Sequence, residues 1–382
     1  MTGQHGFSKT IGELGSFSSG HGFTRGDWVK SGLPIIRIAH LNGSRKFDYF
    51  AGEPDPSWIV EPGELLFAWA GTRGVSFGPT IWDGPRGVLN QHIYRVRPSS
   101  GVDQTWLYYV LLQVTKRIEK RAHGFKSTLL HVRKKDIENQ RWLLPPLATQ
   151  QTAINVLALA ESVMKLLDAL LEGKRSFKRG LMQRLLTGRK RFPEWASVSW
   201  GEVRLGEVFA ERNETSRPDL PLLSVTRDRG VIPRDQLEKR DTSNRDKTKY
   251  KRVAIGDIAY NTMRMWQGVS ALSALEGIVS PAYTVIVPQH IDGNFAKHLF
   301  KFPPVVHVFH RYSQGLVDDT LNLKFDRFIR IKLTIPRNLR EQARIAMVLD
   351  LCDSQISLYA ALRDRVEQQK RALLSKIIGG EI

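Results

Sequence analysis

At 382 residues, with 41% hydrophobic and 25% charged residues, the chain has the composition of a globular protein and enough length for two domain cores. Its 57 Lys and Arg residues against 38 Asp and Glu residues give a net charge of +19, which indicates a polyanionic partner; nucleic acid is favoured over a membrane surface because no window approaches 18 consecutive apolar residues. The single cysteine, Cys352, excludes an internal disulfide and a cysteine metal cluster, and the start MTGQHGFSKT lacks a signal-peptide pattern, so we expect a cytoplasmic protein.

The first 143 residues predict a β-rich domain. They are rich in Gly, Pro and aromatic residues, and short β-like runs stand between turn residues at Pro34–Ala39, Glu64–Trp69 and His92–Val96. We therefore expect short strands and small helices joined by turns in residues 1–143.

A long helix is predicted next, within residues 144–188. It begins after Pro146 and ends at Gly188, and its length of roughly 40 residues corresponds to on the order of 60 Å. Apolar residues recur at alternating spacings of three and four, which is typical of a coiled-coil seam. The seam consists of Leu157, Ala160, Met164, Leu167, Leu171, Leu181 and Leu185. Lys174 and Lys178 interrupt it, which leaves open either snorkelling lysines or a partner site.

Residues 189–335 predict a short linker and a second β-rich domain. Its β-like runs are Pro221–Val225, Asp257–Tyr260 and Tyr283–Val287. It corresponds loosely to the first domain: Ile11-Gly12-Glu13 resembles Leu205-Gly206-Glu207, and Pro62-Gly63-Glu64-Leu65 resembles Ile255-Gly256-Asp257-Ile258. The two domains resemble each other near their ends and differ in between, which indicates one scaffold that carries two different surfaces.

Residues 336–382 repeat the first helical segment. The sequence of Leu339–Gly380 aligns with that of Leu147–Gly188 without a gap, at a shift of 192 residues. The identical pairs include Leu147/Leu339, Gln150/Gln342, Leu159/Leu351, Leu166/Leu358, Leu170/Leu362 and Lys178/Lys370. The repeat indicates that a domain and its long helix were duplicated, so we predict an α+β fold in which the two long helices pair as an antiparallel coiled coil. The alternative is two separate helical hairpins, each covering its own domain.

The sequence contains no recognisable catalytic constellation. There is no Asn/Asp-Pro-Pro-Tyr/Phe tetrapeptide and no phosphate-binding loop, and the ten histidines show no metal-ligand spacing. Glu172 and Lys174 imitate the end of a nuclease signature, but they lie on the predicted coiled-coil helix without an acidic partner nearby. We therefore expect neither catalysis by this chain alone nor a bound metal. The alternatives to a non-catalytic subunit that reads nucleic-acid sequence are a stand-alone nuclease and another kind of nucleic-acid-binding scaffold.

Candidate nucleic-acid contacts lie in the loops between the predicted strands, because Arg, His, Asn and Gln side chains present hydrogen-bonding groups to base edges. In the first domain they are Arg37, His40, Asn42, Arg73, Lys126 and His131. In the second they are Arg227, Arg229, Asn261, Arg264, Gln267, Arg311 and Gln314. For any single residue a phosphate contact or a solvated loop is the rival interpretation.

Two further features have open interpretations. The basic run Arg240–Arg252 fits an exposed loop that touches phosphates, or one that is merely solvated. Trp69 and the pair Met265-Trp266 are expected to pack in the core, with stacking on nucleic acid as the alternative.

The helical segments and their flanks resemble the conserved regions of type I restriction–modification specificity subunits. The resemblance rests on Leu144-Pro145-Pro146-Leu147-Ala148-Thr149-Gln150, on Lys178–Gly188, and on Arg191-Phe192-Pro193-Glu194-Trp195. Gly87–His92 and Gly277–Tyr283 also resemble strand ends of target-recognition domains of that family. One departure is Thr149, where the family has Glu, which the second copy keeps as Glu341.

The resemblance implies a non-catalytic subunit with two target-recognition domains, each reading half of a bipartite, asymmetric DNA sequence. The helices would act as spacer and as docking surface for two methyltransferase subunits and for restriction subunits. No cofactor is then expected on this chain. S-adenosylmethionine would belong to the methyltransferase, and ATP and Mg²⁺ to the restriction subunit.

Overall fold

The computed structural model of the chain describes residues 7–121, 129–237, 246–317 and 320–375. Internal contacts group the chain into two units: residues up to Asp168 together with those from Leu362 onward, and Ala169–Ala361. Each unit combines one β-rich domain with part of each long helix. The division falls inside the helices because Leu157 and Leu374 pack into one domain core, whereas Met182 and Leu349 pack into the other.

The first unit contains small sheets and four short or medium helices. Its strands are β1 (Phe7–Thr10), β2 (Gly15–Ser19), β3 (Leu33–Ile36), β4 (Tyr49–Phe50), β5 (Ile59–Val60), β6 (Leu65–Ala68), β7 (Ala70–Thr72), β8 (Gly78–Ile81), β9 (Gly87–Leu89), β10 (Ile93–Pro98), β11 (Leu129–His131) and β12 (Arg141–Leu144). Its helices are α1 (Ile11–Leu14), α2 (Ile38–Leu41), α3 (Gln104–Arg121) and α4 (Lys134–Glu138). The sheets have the orders β2-β10-β6-β8, β4-β3-β9-β5, β1-β12 and β11-β7.

The second unit follows after the long helix α5 (Leu147–Leu185). Its strands are β13 (Gly201–Arg204), β14 (Phe209–Glu211), β15 (Leu223–Thr226), β16 (Gly230–Pro233), β17 (Lys251–Val253), β18 (Ile258–Asn261), β19 (Ser270–Leu272), β20 (Gly277–Val279), β21 (Tyr283–Pro288) and β22 (Lys332–Ile335). Its helices are α6 (Leu205–Val208), α7 (Gly293–Leu299), α8 (Pro303–Tyr312) and α9 (Phe325–Phe328), followed by the long α10 (Leu339–Leu373). The sheets have the orders β14-β21-β18-β19, β13-β22, β15-β16 and β17-β20.

The two domains share one scaffold, as the repeat predicts. The four-stranded order β2-β10-β6-β8 reappears as β14-β21-β18-β19, and the pair β1-β12 reappears as β13-β22. The turns that precede β6 and β18 place Gly63 at φ 90° and Gly256 at φ 89°, a region that favours glycine. The α+β prediction is thus confirmed, including the matched Gly63 and Gly256 turns.

Each domain has its own aromatic core. Trp106, Trp142 and Phe67 are fully buried in the first, and Phe209 and Phe328 are fully buried in the second. Aromatic side chains of this size bury large apolar areas and dominate the stability of such a core. Trp69 is partly buried against the first core and Met265 is fully buried in the second, in line with the packing expectation, whereas Trp266 is half-buried and lies outside that core cluster.

The long helices are continuous and pair antiparallel. α5 runs for 39 residues and α10 for 35, so the hairpin alternative is wrong for these segments. In the second unit Lys178 of α5 donates to both oxygens of Asp353 at 2.5 and 2.6 Å. In the first unit Lys370 of α10 donates to Glu161 at 2.7 Å. Residue numbers rise along one helix as they fall along the other, which confirms the antiparallel coiled coil.

The basic interruptions of the seam make polar contacts across it, an ion pair for Lys178 and a hydrogen bond for Lys174. Lys370 is the repeat counterpart of Lys178, and Glu161 is the counterpart of Asp353, so one inter-helix pair occurs twice. The other polar seam contacts, Lys174 with Gln355 at 2.9 Å and Arg363 with Asp168 at 3.2 Å, have no such counterparts. Polar pairs inside an apolar seam specify register at some cost in stability.

A repeated glutamine attaches each long helix to its domain. Gln150 and Gln342 are fully buried, and their Oε1 atoms accept hydrogen bonds at 2.8 Å from the backbone N–H of Asp103 and Asp292. Each Nε2 group donates to the carbonyl oxygen of a proline ahead of the helix, Pro145 in one case and Pro336 in the other. These bonds make Asp103 and Asp292 equivalent positions, so α7 corresponds to the start of α3.

The two copies of the repeat differ at Thr149 and Glu341, and the surroundings of Glu341 show why a carboxylate is needed there. Glu341 is 1% exposed and accepts bonds from Arg191 at 2.6 and 2.9 Å and from the Trp200 indole at 3.3 Å. A buried carboxylate requires such partners. At the shift of 192 residues, Trp200 corresponds to Ser8, which has no indole N–H to offer.

Among the described residues, the helix α10 is long and apolar enough to cross a membrane, with a mean hydropathy of 1.4 over its most apolar 18 residues. Ile345, Ala346 and Leu349 of this helix are buried in the second domain core. A globular core therefore accounts for the apolar residues at its start.

Candidate nucleic-acid interface

The loop after β3 in the first domain is braced by its own polar residues. The Arg37 guanidinium forms an ion pair with Asp48 at 2.7 Å and lies 4.3 Å from the centre of the Trp28 ring. His40 is 4% exposed: its Nδ1 accepts from the backbone N–H of Arg37, and its Nε2 lies 2.8 Å from the carbonyl of Lys46. Burial lowers the pKa of His40. In this conformation His40 supports the loop, and Asn42 is exposed beside it.

The other predicted contacts of the first domain lie near the end of α3. Arg73 is half-buried and donates to the carbonyl of Glu119 at 2.6 Å. His131 is exposed at the end of β11. It lines a groove of about 560 Å³ together with Arg117, Arg121, Lys135 and Arg141, none of which the sequence analysis selected. Lys126 lies outside the described residues.

In the second domain the predicted residues follow β15 and β18. Arg227 and Arg229 are exposed in the turn between β15 and β16. Asn261 ends β18, and its Oδ1 accepts from the backbone N–H of Met263 at 3.0 Å. Arg264 is exposed and Gln267 is half-buried, in a 3₁₀ turn that ends at Gly268 with φ 75°.

The last predicted contacts lie after α8. Arg311 is exposed near the end of that helix. The Gln314 side chain, with its amide oriented to satisfy its neighbours, accepts from Arg327 at 2.9 and 3.2 Å. Of the basic run Arg240–Arg252, residues 240–245 lie outside the described residues. Its last arginine, Arg252, pairs with Glu214 and Glu276 at 2.8 and 2.6 Å and is therefore anchored to the fold.

A large cationic cleft lies within the second unit, between α5 and the β-rich domain. We call it the α5 cleft. Its volume is about 1160 Å³. Its cationic side chains are Arg175, Lys178, Arg179, Arg227, Lys297 and Lys301. Among its lining residues the acids are Asp228 and Asp353, so cations outnumber acids six to two. Trp266, Gln267, His307 and His310 also line it.

The structure thus brings only part of the predicted set together. Arg227 and Gln267 share the α5 cleft, whereas Arg229, Asn261, Arg264, Arg311 and Gln314 are not among its lining residues. Four cations of the cleft were not predicted from the sequence: Arg175, Arg179, Lys297 and Lys301. A signal for Arg175 was present in the repeat, because the matched residue of the second helix is Glu367.

Part of the cleft charge is neutralised locally. Lys178 pairs with Asp353, and Lys297 pairs with Asp350 at 2.6 Å. Arg175 and Arg227 make no side-chain hydrogen bond or ion pair with the residues that the structure describes. Lys301 donates to the carbonyl oxygens of Gly268 and Arg227 at 2.7 and 3.2 Å, and burial lowers its pKa to about 8. Its hydrogen-bond partners are neutral carbonyls, and the nearby charge of Asp228 offsets the effect of burial only in part.

One cluster has the donor types of a metal site. His298, Asp350 and Asp353 lie close together, and His298 is buried with its Nε2 2.7 Å from Asp350. Both carboxylates already pair with lysines, Lys297 and Lys178. Burial lowers the pKa of His298, against the hydrogen bond to Asp350. The cluster is therefore a charge-balanced network that holds α7 against α10.

Comparison with known proteins connects this architecture to one family. A family model described as the type I restriction modification DNA specificity domain matches residues 8–164. The chain is 24% identical over 165 residues to the specificity subunit of the type I restriction enzyme EcoBI of Escherichia coli, which covers 42% of this chain and 34% of that protein. The match thus spans about a third of that relative's length.

Two longer similarities cover most of the chain. The specificity subunit of the type I restriction enzyme MjaVIII of Methanocaldococcus jannaschii is 22% identical over 361 residues, 85% of this chain and 80% of that protein. The crystal structure of the S subunit of the type I restriction–modification system from M. genitalium superposes with a TM-score of 0.57 at 15% identity, covering 99% of this chain and 97% of that one. At this identity the superposition shows a shared fold.

Proposed function

We propose that the chain is a type I restriction–modification specificity subunit and the DNA-reading component of such a complex, with each β-rich domain recognising one half of a bipartite, asymmetric target. The observation that carries this proposal is the duplicated scaffold with two different loop surfaces. Around the repeated sheet and strand pair, the first domain presents Arg37 after β3 and His131 on β11, whereas the second presents Arg227 after β15 and Arg264 after β18. A duplicated reader with non-identical halves suits a target with two different halves.

Matched leucines on the outer faces of the long helices support docking of two copies of one partner. Leu159 and its counterpart Leu351 are 65% and 58% exposed, and Leu166 and Leu358 are 71% and 67% exposed. Exposed apolar groups in a contiguous stripe mark protein interaction surfaces. Because the same leucines recur in both copies of the repeat, we assign them to two methyltransferase subunits, with restriction subunits joining the assembly.

In this proposal the chain itself carries out no chemistry and works in the cytoplasm, where the DNA is. S-adenosylmethionine is brought by the methyltransferase, and ATP and Mg²⁺ are used by the restriction subunit. The chain contributes the DNA-reading loops and the helical docking surface. Purified alone, it is expected neither to methylate nor to cut duplex DNA; either activity in the isolated chain favours the stand-alone enzyme.

A domain exchange tests the reading function. Residues 1–143 are replaced by the first domain of another family member, the chimera is co-expressed with the methyltransferase, and the methylated motif is determined by sequencing the host genome. We expect one half of the motif to change and the other half to stay. The reciprocal exchange of residues 200–335 is the matched control, and a change of both halves in either chimera contradicts independent reading.

A further inference from the structure

The internal duplication supplies a comparison for the α5 cleft. In the first unit the position matched to Arg175 is Glu367, which forms ion pairs with Arg363 and Arg371 on its own helix. The equivalence of Asp103 and Asp292 makes Tyr108 the counterpart of Lys297, and Leu112 the counterpart of Lys301. Tyr108 and Leu112 pack against the hydrophobic core of the first domain. The scaffold therefore does not require cations at these places.

The cations of the second unit are also placed where they compensate few acids. Among the described residues, half-buried Lys301 hydrogen-bonds to carbonyl oxygens, with Asp228 acting on it through space, and Arg175 and Arg227 form no ion pair. Desolvating a lysine that has no ion-pair partner disfavours its charged form. An anion in the cleft would favour the charged form, and three cations lining one cleft suit the oxygens of phosphate groups.

We propose that the α5 cleft binds the phosphodiester backbone of the DNA duplex, so that the long helix α5 contributes phosphate contacts through Arg175 in addition to its role as a spacer. This inference rests on the proposed DNA-binding function. It assigns the contact to the second unit alone, because Glu367, Tyr108 and Leu112 replace the corresponding cations in the first. Phosphate contacts of this kind position a protein on DNA without reading sequence.

The salt dependence of binding tests the proposal in the full-length chain. A labelled duplex of unrelated sequence is titrated at several salt concentrations, and the slope of log affinity against log salt is measured. In the double variant Arg175→Gln/Lys301→Leu, the leucine matches Leu112 at the corresponding position of the first unit, and the glutamine removes the charge of Arg175. We expect its slope to be shallower by about two, because each lost phosphate contact removes roughly 0.9.

The matched control is Arg184→Gln. Arg184 is exposed on the same helix, nine residues from Arg175, which places it about half a turn away from the cleft face. We expect this variant to keep the wild-type slope. Equal slopes in all three proteins overturn the cleft assignment while leaving DNA binding intact. A wild-type chain that binds structured RNA but no duplex contradicts the proposed function itself.

A cross-link identifies the occupant. In a Cys352→Ala background, Arg175→Cys and Arg184→Cys are labelled with a photoactivatable group and irradiated with the duplex. We expect DNA adducts from position 175 and few from position 184. Millimolar inorganic phosphate or ATP is then added as competitor. If either abolishes the adduct while the duplex remains bound, the cleft is a site for small phosphates and the proposal is wrong.

Discussion

At the residue scale, Glu341 shows how a motif residue acquires a structural role through its partners. Its buried carboxylate accepts two hydrogen bonds from Arg191 and one from Trp200, which ties the linker to the start of α10. The side chain of Arg191 is itself only 16% exposed. Removing one partner of a buried pair is expensive because the other charge remains buried.

We predict that Glu341→Gln lowers the free energy of unfolding by about 3–5 kcal/mol. Urea denaturation of the purified chain measures it. The control is Glu172→Gln, which removes a carboxylate from the exposed pair with Arg179 and is expected to leave the free energy of unfolding almost unchanged. If both variants lose a similar free energy of unfolding, the buried pair of Glu341 with Arg191 contributes no more to stability than the exposed pair, and the prediction is wrong.

Arg264 is exposed, and we predict that it contacts a base of the DNA. It stands at the entry to the short turn that ends at left-handed Gly268, so its backbone is held in place. If it forks onto a guanine, Arg264→Ala costs about 1–3 kcal/mol at one base position and little elsewhere. Binding to a panel of singly substituted targets checks this, and a uniform loss across the panel identifies a phosphate contact.

At the scale of elements, the long helices combine an apolar seam with a few polar pairs. Lys178–Asp353 and Lys370–Glu161 are the same pair occurring twice, so the duplication carried the register signal with it. Lys174 with Gln355 and Arg363 with Asp168 are not repeated. The seam is therefore symmetric in two contacts and asymmetric in two, which favours pairing of α5 with α10.

The helices are expected to set the distance between the two half-sites. Four residues inserted between Asp168 and Ala169, and four between Ala361 and Leu362, leave the internal contacts of both units unchanged. Each helix lengthens by about 6 Å, so the unread gap should grow by one or two base pairs at about 3.4 Å each. Methylation-site sequencing reads the gap. A chain that folds and directs methylation with the original gap contradicts the prediction.

At the scale of the whole molecule, the repeated leucines predict the stoichiometry of the complex. We expect the full chain to bind two methyltransferase subunits, measured as the mass of the purified complex. Leu159→Arg/Leu166→Arg should leave one, since it places charge in a single copy of the stripe, and the reciprocal Leu351→Arg/Leu358→Arg should do the same. Loss of both subunits from either variant would contradict two separate sites.

The sequence predicted the architecture because hydrophobic periodicity and an ungapped repeat are local signals. The period of the seam predicted α5 and α10, and the shift of 192 residues predicted two domains on one scaffold. The interface was only partly predictable. His40 has a residue type suited to DNA contact, but its ring nitrogens are held inside the loop, because burial depends on neighbours that the spacing of residues does not reveal.

The sequence by itself determined the fold class, the duplication and the family resemblance, since these follow from composition, periodicity and motif order along the chain. Only the tertiary structure decided which charges act together. Arg175 on a long helix, Arg227 in a β-turn and Lys301 between two short helices line one cleft although they are up to 126 residues apart in sequence. Electrostatic interaction depends on distance in space and on desolvation, and folding sets both.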